Sequence, residues 1–464
     1  MRSACWPPPF ALWDAAHIVV APRGGPATVT MVDVPSALPP GDPSPTDGSL
    51  PPSALRWLGE RPFGVYVHVP FCATRCGYCD FNTYTPGELG SAASPASWLE
   101  AVRRELTLAA EVLGGQVLGT EVLGPEVLGA EVLGTEVLGG GAAPAGTVFV
   151  GGGTPSLLGA AGLAAVLDAV RSTFGLSAGA EVTTEANPES TSPEFFDGIR
   201  AAGFTRVSLG MQSAAPHVLA VLDRTHTPGR AVAAAREARA AGFERVNLDL
   251  IYGAPGERPS DLLASLDAAL AADADHVSAY ALIVEDGTAL ASRVRRGELP
   301  APDDDVLAER YELVDSVLSA AGLHWYEVSN WARGAAARCR HNLGYWRGGH
   351  WWGVGPGAHS HVGGVRWWNV KHPAAYAARL AGGASPALAR EVLSPAQRRV
   401  ERIMLELRLS DGLSCSALDA AGLAAARTAA DGGLLDPVAL DAGHAVLTPR
   451  GRLLADAVVR ALLG

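Results

Sequence analysis

The chain has 464 residues, 48% of them apolar, and 36 Lys plus Arg against 48 Asp plus Glu give a formal net charge of −12. Such a length can divide a large core among two or three domains, and the acidic balance argues against a nucleic-acid groove. Of six cysteines three are scattered (Cys5, Cys339, Cys415), which suggests a reducing compartment and no disulfide frame. With no basic-then-apolar leader and no apolar run approaching about 18 residues, a cytoplasmic protein without a membrane span is expected.

Residues 1–60 are rich in Pro, Gly, Ser and Ala without a sustained period, and read as a disordered tail in which Met31 is a second candidate start. The first strand is expected at Gly64–Val69, leading directly into Cys72, Cys76 and Cys79, a C-x3-C-x2-C run. Residues 111–140 repeat Glu/Gln-Val-Leu-Gly-x every five residues. That period suits neither helix nor strand, so the repeat reads as a surface insertion.

Further strands are expected at Thr147–Val150, Glu181–Glu185, Arg206–Gly210, Val246–Ile251 and His276–Tyr280, separated by alanine-rich helices. Three helices stop at a similar signal, in Ala201-Ala-Gly-Phe, Ala240-Ala-Gly-Phe and Ala320-Ala-Gly-Leu, where glycine can take the left-handed capping conformation. Repeated βα units imply a parallel sheet with right-handed crossovers. Beyond about residue 390 the pattern is helical. Residues 391–464 hold eight Arg, no Lys and nine acidic residues, which does not make the basic face of a DNA reader.

A 4Fe-4S cube offers four irons to thiolates, so three cysteines leave one iron for another ligand. Zinc spacings require a second Cys or His pair, and none lies nearby. The segment Tyr66-Val-His-Val-Pro-Phe-Cys-Ala-Thr-Arg-Cys-Gly-Tyr-Cys resembles the radical S-adenosylmethionine (SAM) superfamily, in its coproporphyrinogen-oxidase-like branch, from about Gly64 to the C-terminus. The resemblance implies a partial (β/α)6 TIM-like barrel over 61–300, an extension over 301–390, and a small winged-helix-like C-terminal domain over 391–464.

It also implies a 4Fe-4S cluster on Cys72, Cys76 and Cys79, whose vacant iron chelates SAM. An electron from the cluster then splits that molecule to a 5'-deoxyadenosyl radical. Strand-end residues are implied for the SAM pocket: Tyr66, Tyr78, Gly152, Gly153, Thr154, Glu185, Gln212, Arg224 and Asp249. The chemistry is coherent, since Arg can pair with the methionyl carboxylate and carboxylates can accept from ribose hydroxyls. For the turn Gly151-Gly-Gly-Thr-Pro-Ser, missing Cβ atoms are expected to let a ligand reach exposed backbone donors.

Two features separate members of this branch. The oxidases continue the motif as C-x2-C-x-C, whereas Phe81 stands here; and Arg340-His-Asn-Leu-Gly-Tyr-Trp346 matches the H-N-x-x-Y-W motif of its haem-chaperone subfamily. There the histidine is implicated in haem binding, which makes His341 a candidate iron ligand, a role imidazole commonly takes. The same helix reads structurally as a packed element with His341 hydrogen-bonded inside. Nearby His350, His359 and His361 read as satisfied histidines in a glycine-rich turn. The implied function is a haem chaperone handing haem to acceptor proteins; the alternatives are an oxygen-independent coproporphyrinogen III oxidase and a radical enzyme with another substrate.

Overall fold

The computed structural model describes residues 41–56, 58, 59, 61–90, 93–114 and 143–464. The expectations for residues 1–40, for Met31 as a start, and for the repeat at 115–142 lie outside the described residues.

Six strands run parallel in chain order: β1 (Phe63–Val69), β2 (Ala145–Gly152), β3 (Leu176–Ala186), β4 (Arg206–Gln212), β5 (Arg245–Tyr252) and β6 (His276–Ala281). Their crossovers carry α1 (Pro95–Gly114), α2 (Gly159–Phe174), α3 (Pro193–Ala202), α4 (Arg230–Ala240) and α5 (Pro259–Ala271). Side chains alternate across the sheet with period two. Val65, Val67, Val148, Val150 and Val246 join the apolar core, while Tyr66, Phe149, Glu185, Ser208, Asn247 and Asp249 face a common lumen. The expected helix stops are present: Gly203, Gly242 and Gly322 have φ of +112°, +88° and +81°.

Helix α2, with the turn before it, is long and apolar enough to cross a membrane by composition. It is a β2–β3 crossover, burying Leu163, Val166, Leu167 and Val170. Its hydropathy comes largely from the leucines and valines that it turns toward the core.

After α6 (Asp304–Ala320), β7 (His324–Glu327) and β8 (Asn330–Ala332) extend the sheet antiparallel beyond β6. A short helix, α7 (Arg340–Trp346), then leads to β9 (His350–Val354), which pairs parallel with β1 from His350↔Phe63 to Val354↔Val67. The six expected barrel strands are thus present, and β9 adds a further parallel strand beside the first. Antiparallel β10 (His359–Val362), β11 (Val365–Asn369) and β12 (Ala387–Val392) continue from β9. A Cβ on Gly353 would lie 2.0 Å from the His359 carbonyl, so glycine is needed where β10 passes.

Residues from α8 (Pro395–Glu406) onward build a separate core around Ile403, Leu407, Leu435 and Val458, with a two-stranded pair joining Leu413–Ser414 to His444–Ala445.

Two boundaries differ from expectation. Residues 41–56 are ordered rather than part of a disordered tail: Asp42–Pro43 pairs with β12, and Leu50 and Ala54 are buried. The first repeat unit, from Glu111, completes α1, because Leu113 is buried on the core face.

Glu105 of α1 ties the helix layer to the far sheet. It is buried and accepts hydrogen bonds from the Gly355 N–H (2.8 Å), the Asn369 amide (2.7 Å) and the Tyr376 hydroxyl. Burial raises its pKa from 4.5 to about 7. Glu105→Ala leaves three buried donors unpaired and is expected to cost about 2–5 kcal/mol in urea denaturation. Exposed Glu100→Ala should cost about 0.5 kcal/mol or less. Because the folded carboxyl holds its proton where the unfolded one releases it, wild-type stability falls as pH rises from 4.5 to 7. The gap between wild type and Glu105→Ala should narrow over that range.

Candidate functional site

The cysteine loop leaves the sheet at Val69, at the C-terminal mouth of the barrel, and main-chain bonds clamp it there. Gly153 N–H donates to Val69 O (2.7 Å) and Thr154 N–H to Phe71 O (2.8 Å), while Cys72 N–H donates to Tyr84 O and Tyr84 N–H to Pro70 O. From inside the lumen, His68 Nε2 donates to Asn82 O (2.9 Å), which leaves Nδ1 to accept from the Tyr66 hydroxyl (3.0 Å). Burial lowers the His68 pKa to about 4, so the ring stays neutral and buttresses the loop. Asn82 in turn donates to Pro356 O and Lys371 O.

Each thiol has a polar neighbour. Thr154 Oγ1 donates to Cys72 Sγ (3.7 Å), Arg224 Nη1 to Cys76 Sγ (3.1 Å), and Cys79 Sγ lies 3.8 Å from Thr83 Oγ1. Burial raises the Cys72 thiol and pushes Cys79 up to about 12, and charge on the neighbouring sulfurs raises both further. Bare thiolates are therefore disfavoured here, and a bound cationic centre would reverse that preference. Among the described residues no three Cys, His, Asp or Glu surround one ion. In a cube-shaped cluster each thiolate binds a different iron, so the residues fit that group better than a single zinc.

The glycine turn differs in detail from expectation. Its donors are spent on protein: Gly152 N–H reaches Glu185 Oε2 (3.0 Å), and those of Gly153 and Thr154 hold the cysteine loop. The N–H groups of Gly152, Gly153 and Thr154 are therefore not open to a ligand. Gln212 sits at a β-bulge with φ +65°, and its buried Oε1 has no hydrogen-bond partner among the described residues. A strained backbone and an orphaned acceptor together mark a ligand-facing position. A Cβ on Gly210 would meet Gln212 Nε2 at 2.9 Å and Arg224 Nη2 at 3.3 Å, so both side chains lie over that glycine.

The structure thus gathers Cys76, Arg224 and Gln212 on one side, and Cys72, Gly153, Thr154, Gly152 and Glu185 on the other. Tyr78 packs with Val218, Leu222 and Ile251 beside them. Asp249 lies deeper. It accepts from Ser208 Oγ (2.9 Å) and Asn247 Nδ2 (2.7 Å), burial raises its pKa to about 6, and it lines a lumen of about 40 Å³ with Tyr66, Glu185 and His341.

His341 faces this lumen from α7, stacked on Phe149 at 5.3 Å. Nδ1 is 2.8 Å from Thr147 Oγ1, Nε2 is 2.7 Å from the Tyr345 hydroxyl, and burial lowers its pKa to about 3. Sequence reasoning missed the layer beneath it, where buried Arg206 lies 3.7 Å from Glu181 and His276 bridges Asn247 (2.6 Å) and Tyr326 (2.7 Å). The period-two polar residues of β4 to β6 were the available signal.

A barrel of parallel strands with a clamped three-cysteine loop and a polar mouth defines a radical SAM protein, and the Radical SAM superfamily model matches residues 66–269. Heme chaperone HemW of Mycobacterium tuberculosis is 60% identical over 404 residues, covering 87% of this chain and 95% of the relative. Its Bacillus subtilis namesake is 31% identical over 86% and 98%. The chain belongs to the HemW family. Coproporphyrinogen III oxidase (HemN) from Escherichia coli, a radical SAM enzyme, shares the fold, with TM-score 0.71 and 21% identity over 88% of this chain and 92% of that one. Membership of the superfamily implies a 4Fe-4S cluster and SAM as cofactors.

The clamp makes a prediction. A Cβ on Gly153 would lie 2.5 Å from Phe71 O and 3.0 Å from Cys72 Sγ. Gly153→Ala should therefore retain several-fold less iron and sulfide than wild type after anaerobic reconstitution, whereas Gly87→Ala, with open space around it, should match wild type. Equal iron in Gly153→Ala would contradict the clamp.

Proposed function

We propose that this protein is a cytoplasmic haem chaperone that binds haem and passes it to acceptor proteins. The observation that carries this reading is the 60% identity to Heme chaperone HemW across 95% of that relative. Phe81, standing where the oxidase motif places a further cysteine, supports it.

In this reading Cys72, Cys76 and Cys79 hold the cluster, which when bound supplies an open iron able to chelate an amino-carboxylate. Arg224, already against the Cys76 sulfur, would pair with the SAM carboxylate. The carbonyls of Gly152 and Gly153 would take the ammonium group, with Thr154 beside them. Gln212 would donate to or accept from the same molecule, Glu185 and Asp249 would accept from hydroxyls, and Tyr66 and Tyr78 would wall the pocket. The motif resemblance makes His341 a candidate haem ligand, a role that requires Thr147 or Tyr345 to release a ring nitrogen.

The oxidase reading would have the protein decarboxylate two propionates of coproporphyrinogen III instead. Purified, reconstituted protein should bind haem, giving a Soret band, and should form no protoporphyrinogen from coproporphyrinogen III under anaerobic reduction. Decarboxylation at enzymatic rates would overturn the reading.

A further inference from the structure

Two residues beyond Arg224 the same loop carries His226, which nothing derived so far uses. The chain is strained on either side of the short helix (Pro216–Val221) that leads into this loop. Gln212, at the bulge that ends β4, has φ +65°, and Asp223 has φ +51°. Residues other than glycine persist in this region only where their surroundings impose it.

The ties that hold the loop can be named. The Thr227 N–H donates to Glu189 Oε1 (2.7 Å) and its hydroxyl to Oε2 (3.2 Å), while Arg230 donates to the carbonyls of Pro188 and Thr191 (both 3.0 Å). These bonds fasten the loop to the turn that follows β3. On the other side the Arg224 N–H donates to Leu219 O (2.9 Å), and its guanidinium lies 3.5 Å from Gly210 O.

His226 lies between these ties and reaches back to the bulge. Its imidazole donates to the Met211 carbonyl, which also accepts from the Ser213 N–H (2.8 Å). Nε2 is buried with no hydrogen-bond partner among the described residues, which makes Nδ1 the donor. Burial, with the charge of Arg224 added, lowers the His226 pKa to about 4. The ring is therefore neutral and puts no second positive charge beside the guanidinium.

The bond to Met211 acts on Gln212 through covalent geometry. A peptide unit is planar, so holding the Met211 oxygen also holds the Gln212 nitrogen and fixes the plane from which Gln212 takes its positive φ. The side chain set by that backbone has the buried Oε1 without a partner, and it shares the space over Gly210 with Arg224. His226 thus adjoins both polar groups, Gln212 through a carbonyl and Arg224 within electrostatic range.

We propose that His226 is a positioning residue for SAM: by holding the Met211 carbonyl beside Arg224, it keeps Gln212 and Arg224 turned toward the amino-carboxylate end of the cofactor. The inference rests on the SAM-pocket reading given above and adds the residue that sets one wall of it. It is tested by calorimetric titration of reconstituted full-length protein with S-adenosylhomocysteine, which has the amino-carboxylate end, and with 5'-methylthioadenosine, which lacks it.

His226→Ala should bind S-adenosylhomocysteine roughly tenfold more weakly than wild type. Its iron and sulfide content and its binding of 5'-methylthioadenosine should not change. His226→Asn, whose amide N–H can still reach the Met211 carbonyl, should recover most of the loss. Unchanged affinity for S-adenosylhomocysteine in His226→Ala, or no recovery in His226→Asn, overturns the proposal. An equal loss for both compounds, or a loss of iron, assigns the ring to the fold instead of the pocket and overturns it too. If Arg224→Ala binds S-adenosylhomocysteine as wild type does, the pocket reading itself fails, a result independent of His226.

Discussion

The contact on which the rest depends is a pair of main-chain hydrogen bonds at the barrel mouth, from Gly153 and Thr154 to the carbonyls of Val69 and Phe71. They join the ends of two adjacent strands and so fix the cysteine loop over the lumen. Because the bonds are made by backbone, the loop's position is set by the sheet register, Val69 opposite Gly152, and not by flexible side chains. The approach is close enough that only glycine fits at 153, and Gly152 adopts φ +115° to make the turn. Glu185, one strand further on, then secures the turn through Gly152 N–H.

Below this mouth the lumen is polar and narrow, and its side chains satisfy one another: Asp249 with Ser208 and Asn247, His276 with Asn247 and Tyr326, His341 with Thr147 and Tyr345. In such a network each paired group that is released must find another partner, which holds these side chains in place. Helix α7 sits where this network ends. It closes the lumen with its first turn and walls a second cleft with its last, so one short motif touches two chemically different spaces.

Much of the fold was legible because it is written locally. Valine-rich strands after Ala-Ala-Gly stops appear where the sequence predicts them, since a left-handed glycine and a β-branched run act within a few residues. The cysteine run was legible as a C-x3-C-x2-C spacing directly after a strand, and the structure sets that loop at the strand's C-terminal end. What was not legible depends on tertiary contact. Strand β9 is buried on every residue, so His350-Trp-Trp-Gly-Val shows no alternation and reads as a loop. Residues 41–56 have the composition of a tail, and their order comes from a few contacts, among them Leu50 and Ala54 in the core and Gly41 beneath Trp368. The strained backbone of Gln212 arises from a bulge against β5 that no propensity signals.

The claim that the three cysteines hold a cluster with one iron open to SAM is tested most directly by paramagnetic resonance on the reduced, reconstituted protein with and without SAM, alongside iron and sulfide analysis. About four irons and four sulfides per chain are expected, with a spectrum that changes when SAM binds. A single zinc, a two-iron centre, or a four-iron spectrum indifferent to saturating SAM would contradict it.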